Sequence, residues 1–176
     1  MRVDRRQDRF LLPGLVTPSS ASMISFICEL SPSCSWYSNT DFTRFGGANG
    51  LQWFNDVWSF DPRTNLWTQL DYAGFVPTAR EGHAAALVDD VMYIFGGRTE
   101  EGVDLGDLAA FRLPTRRWYS FQNMGPAPSA RSGHSMTAFG KQIIVLAGEP
   151  SSAPRDADEL SMVYVLDTLK IRYPTK

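Results

Sequence analysis

The sequence predicts an all-β fold made of repeated four-stranded antiparallel sheets, the blades of an open, partial β-propeller. One observation is a repeat of about 50 residues, seen in FDPRTNLW at 60–67 and FRLPTRRW at 111–118, and in PTAREGH at 77–83 and PSARSGH at 128–134. The second is the run of short apolar segments past residue 45, separated by glycine, proline and polar turns. Four short strands in a repeat of this length are typical of a propeller blade.

The complete repeat, residues 77–127, justifies the number of strands. The segment HAAALV at 83–88 is apolar almost throughout and predicts a buried first strand. The β-branched and aromatic segment VMYIFGG at 91–97 predicts the second. DLAAFRL at 107–113 and RRWYSF at 116–121 predict the third and fourth.

The neighbouring repeats are predicted by comparison with this one. Residues 128–174 contain the same four strands, as HSMTAFG, QIIVLAG, SMVYVLD and KIRY, whereas the unit at 45–76 begins in the middle of the pattern. The chain thus supplies two four-stranded blades and a fraction of a third, too few to close a propeller. Because open sheet edges invite association, we expect either missing blades, as in a partial gene product, which we favour, or self-association of copies.

Residues 1–44 form a separate predicted segment, rich in serine and proline and without a period. We expect it to be irregular and poorly ordered, and to precede a repeat region at 45–176. Its Cys28 and Cys34 are the only cysteines of the chain. A disulfide between them is one interpretation, although a cysteine-poor repeat region favours a reducing compartment.

Each recurring residue has an expected structural role. A glycine doublet permits positive φ and close approach of neighbouring backbones, and a large aromatic side chain fills the wedge between blades. A histidine at the same place in two repeats is expected to be a buried hydrogen-bonding group rather than a metal ligand. The residues assigned to these roles are Gly46, Gly47, Gly96, Gly97 and Gly148 for the glycines, Trp67, Trp118 and Tyr173 for the aromatics, and His83 and His134.

The candidate binding residues are charged. Arg80 and Arg131 precede the first strand of their blades, where they either cap loop carbonyls or face a ligand. Strand order places the loop after the second strand on the same side, with Arg98, Glu100 and Glu101. Mixed charges on such a loop favour a polar surface that binds proteins.

Composition excludes several classes of function. A net charge of -2, from 17 basic and 19 acidic residues, gives no basic footprint for nucleic acid. The longest apolar runs have the length of strands, far short of a bilayer span, so no membrane insertion is expected. The residues also predict neither a catalytic site, nor a metal site, nor a cofactor.

The recurring residues resemble kelch repeats. The resemblance covers residues 45–174 and rests on the glycine doublet, the Asp-Pro-Arg-Thr turn, the following tryptophan and the Arg-x-Gly-His step. YIFGGRTEEGVDLGDLAAFRL, RRWYSFQNMGPAPSARSGHSM and IIVLAGEPSS are similar to propellers of fungal cell-polarity kelch proteins, the cell-end marker group. This resemblance implies a cytoplasmic scaffold at the cell cortex or growing tips, with polarity factors linked to microtubule ends or formins as partners.

Two other functions belong to the same fold. A galactose-oxidase-like enzyme needs copper held by histidine and tyrosine, whereas the two histidines here occupy equivalent repeat positions. The substrate-binding propeller of a ubiquitin-ligase adaptor needs a helical domain that residues 1–44 are too short to supply. We therefore favour a protein-interaction scaffold that is not an enzyme.

Overall fold

Residues 42–121, 127–150 and 163–173 are described by a computed structural model, and they form strands, loops and one 3₁₀ helix. Three successive, mainly antiparallel sheets correspond to the three repeats, and we call them the first, second and third blade. The predicted all-β, open, partial propeller is confirmed. Most of the predicted N-terminal segment, up to residue 41, lies outside the described residues.

Within the described residues, the first blade contains the strands β1 (Phe42–Ala48), β2 (Trp53–Asp61) and β3 (Leu66–Gln69), paired in that order. Its first strand begins three residues before the boundary that the repeat predicts at residue 45. In the Asp-Pro-Arg-Thr turn between β2 and β3, the Asp61 carboxylate accepts a hydrogen bond from the Arg63 N–H at 2.8 Å.

The second blade contains all four predicted strands, each within two residues of its expected limits. They are β5 (Ala84–Val88), β6 (Val91–Phe95), β7 (Leu108–Arg112) and β8 (Arg117–Ser120). A short preceding strand, β4 (Ala73–Gly74), pairs in parallel with β8 as a fifth member of the sheet. Every residue of β6 is buried, because both faces of this blade are covered by neighbouring blades.

The third blade pairs β10 (Ser135–Phe139) with β11 (Gln142–Leu146), and β11 with β13 (Val163–Asp167). A separate two-stranded ladder joins β9 (Arg131–Ser132) to β12 (Glu149–Pro150). The prediction of a fourth strand at KIRY is wrong. A 3₁₀ helix occupies Thr168–Lys170, and residues 171–173 follow it outside any ladder.

The absence of a strand at the described residues 170–173 has a physical cause in the preceding turn. Asn65 and Arg116 occupy equivalent turn positions in the first two blades and have left-handed φ values of 57° and 48°. The third blade has Ile171 at this position, and its φ is -73°. A β-branched side chain strongly disfavours the left-handed region, so Thr168–Lys170 form a 3₁₀ turn and Ile171 leaves it with extended backbone.

The hydrophobic core lies between the blades. One buried cluster joins the first blade to the second, and its members are Phe45, Val57, Met92, Ile94, Ala109, Phe111 and Trp118. A second cluster joins the second blade to the third, and it includes Tyr93, Phe95, Ala110, Met136, Ile143, Val145 and Ile171. Because side chains alternate across a strand, neighbouring residues of β6 and β7 contribute to opposite clusters.

Candidate functional site

The candidate site is a face formed by the loops between blades and the loops that follow second strands. Glu81 and Arg98 exchange two backbone hydrogen bonds, of 3.0 and 2.8 Å. Gly133, which precedes the third blade, donates its N–H to the Gly82 carbonyl at 2.9 Å. The expectation that these two kinds of loop share one side of the blades is therefore met, and we call this side the loop face.

The loop that carries most of the predicted binding residues, Arg98–Asp104, is held by hydrogen bonds. Thr99 donates its N–H to the Val103 carbonyl at 2.9 Å, and Leu105 donates to the Gly97 carbonyl at 2.8 Å. The Arg98 Nε contacts Asp104 Oδ1 at 2.8 Å, and the Asp104 side chain is only 3% exposed. The hydrogen bond from Arg98 lowers the pKa of Asp104, so the aspartate stays ionised. These bonds order the loop from within the blade.

The tip of this loop faces solvent. Glu100 and Glu101 are exposed, and Val103 beside them is 57% exposed. In the first blade the corresponding loop carries Leu51, which is 88% exposed. Asn49 orders that loop, because its side-chain oxygen accepts the N–H groups of Leu51 and Gln52 at 3.0 and 2.8 Å. The loop face thus combines two acidic groups with two exposed apolar side chains on ordered loops.

Arg80 lies inside the second blade and is 1% exposed. Its guanidinium donates to the carbonyls of Thr78 and Gly96 at 2.9 and 3.0 Å. The same group forms a two-pronged ion pair with the Asp107 carboxylate, at 2.7 and 2.9 Å. With its donors engaged in this way, Arg80 does not reach the loop face.

Arg131 occupies the equivalent place in the third blade and is 3% exposed. It donates to the carbonyls of Ser129 and Ala147 at 3.1 and 2.9 Å, as Arg80 does to their counterparts. Where Arg80 pairs with a carboxylate, the Arg131 guanidinium stacks over the Tyr164 ring, with Cζ 5.0 Å from the ring centre. Both arginines therefore contact loop carbonyls, one of the two roles that the sequence left open, and their guanidinium groups point away from solvent.

The backbones of these arginines connect adjacent blades. Gly47 donates its N–H to the Arg80 carbonyl at 2.9 Å, and Gly97 donates to the Arg131 carbonyl at the same distance. The first glycine of each doublet, Gly46 or Gly96, has a positive φ and leaves no room for a Cβ atom. A Cβ on Gly96, whose φ is 65°, would lie 2.6 Å from the Arg131 carbonyl oxygen. The glycine doublet thus allows two blades to meet.

The two histidines pack at these same interfaces between blades. The His83 ring meets Phe45 of the preceding blade at 5.5 Å, and His134 meets Phe95 at 5.3 Å, both edge-on. Burial, with a smaller contribution from a nearby arginine, lowers the pKa of each histidine from 6.5 to about 4. Each histidine is neutral at pH 7 and serves as a packing group.

The repeated aromatic residues point toward the preceding blade. Trp118 packs 4.9 Å from Phe45 and is 1% exposed. Tyr173 packs 5.0 Å from Tyr119, and its hydroxyl lies 2.6 Å from the Tyr93 hydroxyl. Trp67, at the equivalent position of the first blade, is only partly buried. The sequence gives the spacing of these wedges but not their direction.

Sequence reasoning missed Asp104 and Asp107, the carboxylates that fix the candidate loop and Arg80. A signal for Asp107 existed, because Asp56 occupies the same repeat position 51 residues earlier. In the first blade Asp56 accepts a hydrogen bond from the Trp58 indole at 2.6 Å.

Within the described residues, no group of three His, Cys, Asp or Glu side chains could hold a metal ion. Among the same residues, no helix is long and apolar enough to cross a membrane.

Comparisons with known proteins agree with this architecture. The family profile of the KLHDC2/KLHL20/DRC7 Kelch-repeats domain matches residues 28–148. Tip elongation aberrant protein 1 of Schizosaccharomyces pombe is 37% identical over 128 residues, which are 73% of this chain. Kelch domain-containing protein 3 of Homo sapiens is 31% identical over 121 residues, 64% of the chain. A Dictyostelium discoideum protein, Rho GTPase-activating protein gacHH, is 26% identical over 147 residues, 80% of the chain.

The matched region is a small part of each relative. It covers 11% of the fission-yeast protein, 31% of the human protein and 10% of the Dictyostelium protein. The family profile nevertheless matches more than half of this chain, and the blades carry the residues that define the repeat. The resemblance to kelch propellers, including those of fungal polarity proteins, is confirmed, and the chain belongs to the kelch-repeat family.

Proposed function

We propose that this chain is a protein-binding part of a kelch scaffold and that it captures its partner on the loop face. The observation that carries the proposal is the ordered Arg98–Asp104 loop, whose Arg98–Asp104 ion pair presents Glu100 and Glu101 to solvent. A loop that is already ordered loses little conformational entropy on binding. Kelch relatives that share these blades support a binding role over an enzymatic one.

The chemistry of this surface suggests the chemistry of its partner. Two adjacent carboxylates attract a basic segment, and charge complementarity chiefly speeds encounter and selects the partner. Exposed Val103 and Leu51 supply apolar contact area next to them. We infer that the partner presents lysine or arginine side chains around an apolar patch.

The biological setting is part of the proposal. Over 73% of its own length, this chain is 37% identical to Tip elongation aberrant protein 1. We therefore propose a role in polarised growth at the cell cortex or cell tips. Polarity factors linked to microtubule ends or formins are the proposed partners. The surface described above would hold one of them within a larger assembly.

A capture experiment tests the proposal. The immobilised 176-residue chain is incubated with fission-yeast extract, and bound proteins are quantified by mass spectrometry. Substituting Glu100→Lys and Glu101→Lys should weaken capture of a defined group of proteins that includes polarity factors, because the acidic tip becomes basic. Circular dichroism confirms that the variants remain folded.

A matched control uses Asp71, an exposed carboxylate outside this loop. Asp71→Lys changes net charge as much as either single loop substitution, and it should leave the captured group intact. If loop variants and control capture the same proteins in the same amounts, the Arg98–Asp104 loop is not the contact surface and the proposal is wrong.

A further inference from the structure

The hairpin loop between β1 and β2 contains an asparagine followed by a glycine. Asn49-Gly50 is the only Asn-Gly pair in the sequence of the chain. Residues 49–52 join the two strands, and the Asn49 N–H donates to the Gln52 carbonyl at 3.1 Å across the base of the loop. Asn-Gly is favoured in hairpin loops because both residues tolerate a positive φ. The same pair places a side-chain amide carbon next to a backbone nitrogen that carries little steric hindrance.

The backbone nitrogen of Gly50 is available as a nucleophile. Its N–H donates no hydrogen bond within the described residues. Gly50 is exposed and has a φ of 88°, and a Cβ at this position would meet nothing within 4 Å. Because glycine has no side chain, nothing beside this nitrogen hinders its approach to the side-chain carbon of Asn49. Water reaches the same place, since the loop around it is open.

The side-chain carbonyl of Asn49 is prepared for attack. Its Oδ1 accepts the backbone N–H groups of Leu51 and Gln52 at 3.0 and 2.8 Å. Both donors follow Gly50 in the chain, so these bonds turn the side-chain amide toward the nitrogen that would attack it. Two N–H groups on one oxygen also form an oxyanion hole, because they stabilise the negative charge that develops when a nucleophile adds to the carbon. The Asn49 Nδ2, which would leave, forms no hydrogen bond among the described residues.

The exposure of this loop does not depend on what flanks the first blade. In the second blade, which has a described blade on each side, the corresponding loop tip at residues 100–102 is also exposed. Loop tips on the loop face therefore stay in solvent within a row of blades. Leu51, beside the Asn-Gly pair, is 88% exposed.

We propose that Asn49 deamidates spontaneously in the folded protein and that the two backbone N–H groups on its Oδ1 promote the reaction. The Gly50 nitrogen bonds to the Asn49 Cγ, its proton passes to Nδ2, and the Cγ–Nδ2 bond breaks to release ammonia. Water then opens the resulting cyclic imide at either of its carbonyls. Opening at Cγ gives aspartate, and opening at the backbone carbonyl gives isoaspartate, in which the backbone runs through the former side chain. Water is the only co-reactant.

Either product changes the loop face. Aspartate at position 49 adds a negative charge beside the exposed Leu51. Isoaspartate also adds a carbon to the backbone between residues 49 and 50, so the loop cannot keep its present closure between Asn49 and Gln52. The charge of this surface, and the position of its most exposed apolar side chain, therefore change with the age of the protein molecule.

Peptide mapping of the aged protein tests the proposal. The full chain is kept at neutral pH and physiological temperature in heavy-oxygen water, and samples are digested and analysed by mass spectrometry over time. Asn65 is the matched internal control, because it also lies in an exposed turn but is followed by Leu66. We expect Asn49 to be converted at least about ten times faster than Asn65, because only Asn49 combines an oxyanion hole with an unhindered nitrogen. The product should carry heavy oxygen and include both aspartate and isoaspartate.

Two further samples separate the contributions of the glycine and of the folded loop. Gly50→Ala should slow conversion severalfold, because a methyl group crowds the attacking nitrogen, and circular dichroism checks that this variant is folded. Unfolding of the wild-type chain in urea at the same pH and temperature removes the bonds from Leu51 and Gln52 to Oδ1. Conversion of Asn49 should then be slower than in the folded chain, because the oxyanion hole is lost.

Three results would overturn the proposal. Asn49 could remain unchanged, or be converted no faster than Asn65, which would show that the loop is not a site of deamidation. Conversion in urea that is as fast as in the folded chain, or faster, would show that the two N–H groups do not promote the reaction. Aspartate without isoaspartate would exclude the cyclic imide.

Discussion

Gly96→Ala isolates the cost of placing a side-chain atom where two blades meet. The new Cβ would lie 2.6 Å from the Arg131 carbonyl oxygen and 2.7 Å from His134 Cε1, both on the following blade. The φ of 65° adds the cost of a left-handed alanine, roughly 1–2 kcal/mol. Overpacking a buried site costs typically about 1–3 kcal/mol. We expect Gly96→Ala to lower the free energy of unfolding by roughly 2–4 kcal/mol.

Gly140→Ala is the matched control for this substitution. Gly140 has a similar φ of 60°, but a Cβ there would meet nothing within 4 Å. Its loss in stability should therefore contain only the backbone cost, about 1 kcal/mol. Urea unfolding followed by tryptophan fluorescence measures both variants. Equal losses for the two substitutions would refute the close contact of the second and third blades at Gly96.

Two further predictions concern packing and protonation at the same interfaces. Trp118→Ala should lower the free energy of unfolding by about 3–5 kcal/mol, because the side chain is 1% exposed. Trp67→Ala should lower it distinctly less, because Trp67 is only partly buried. Equal losses in urea unfolding would contradict the direction assigned to the two aromatic side chains. Because folding lowers the pKa of His83 and His134 from 6.5 to about 4, the unfolded chain binds more protons between these values. The free energy of unfolding should therefore be highest above pH 6.5 and fall by a few kcal/mol in total as the pH is lowered to about 4. Urea-unfolding midpoints that stay unchanged between pH 7 and pH 4.5 would contradict burial of the neutral rings.

The strands of the second blade could be predicted from the sequence because several signals agree there. The apolar run ending in Phe95 and Gly96 combines β-branched residues, an aromatic and a turn, and β6 ends at Phe95. The fourth strand of the third blade could not be predicted from apolar pattern alone. The equivalent turn residues of the first two blades, Asn65 and Arg116, adopt a left-handed φ, whereas Ile171 does not. Only this comparison of backbone conformations explains why the predicted strand does not form at residues 170–173.

The candidate site could be predicted only in part, because strand order gives the position of a loop but not the partners of its side chains. Strand order places Arg98, Glu100 and Glu101 on the loop face, and the structure has them on the loop that contacts Glu81. The direction of the Arg80 side chain depends on Asp107, which lies 27 residues away along the chain. Repeat periodicity places equivalent residues in equivalent positions, but it gives no sign of whether a charged group finds its partner inside the blade.

Amide hydrogen exchange at Gly47 and Gly97 tests most directly the central claim that the repeats pack as successive blades. Each N–H donates at 2.9 Å to an arginine carbonyl of the next blade, so the bond exists only when two blades are in contact. We predict that both amides exchange far more slowly than in an unfolded chain, on the timescale of core strand amides. Exchange of both at the unfolded rate would show that the blades do not pack against each other, and would contradict this account of the fold.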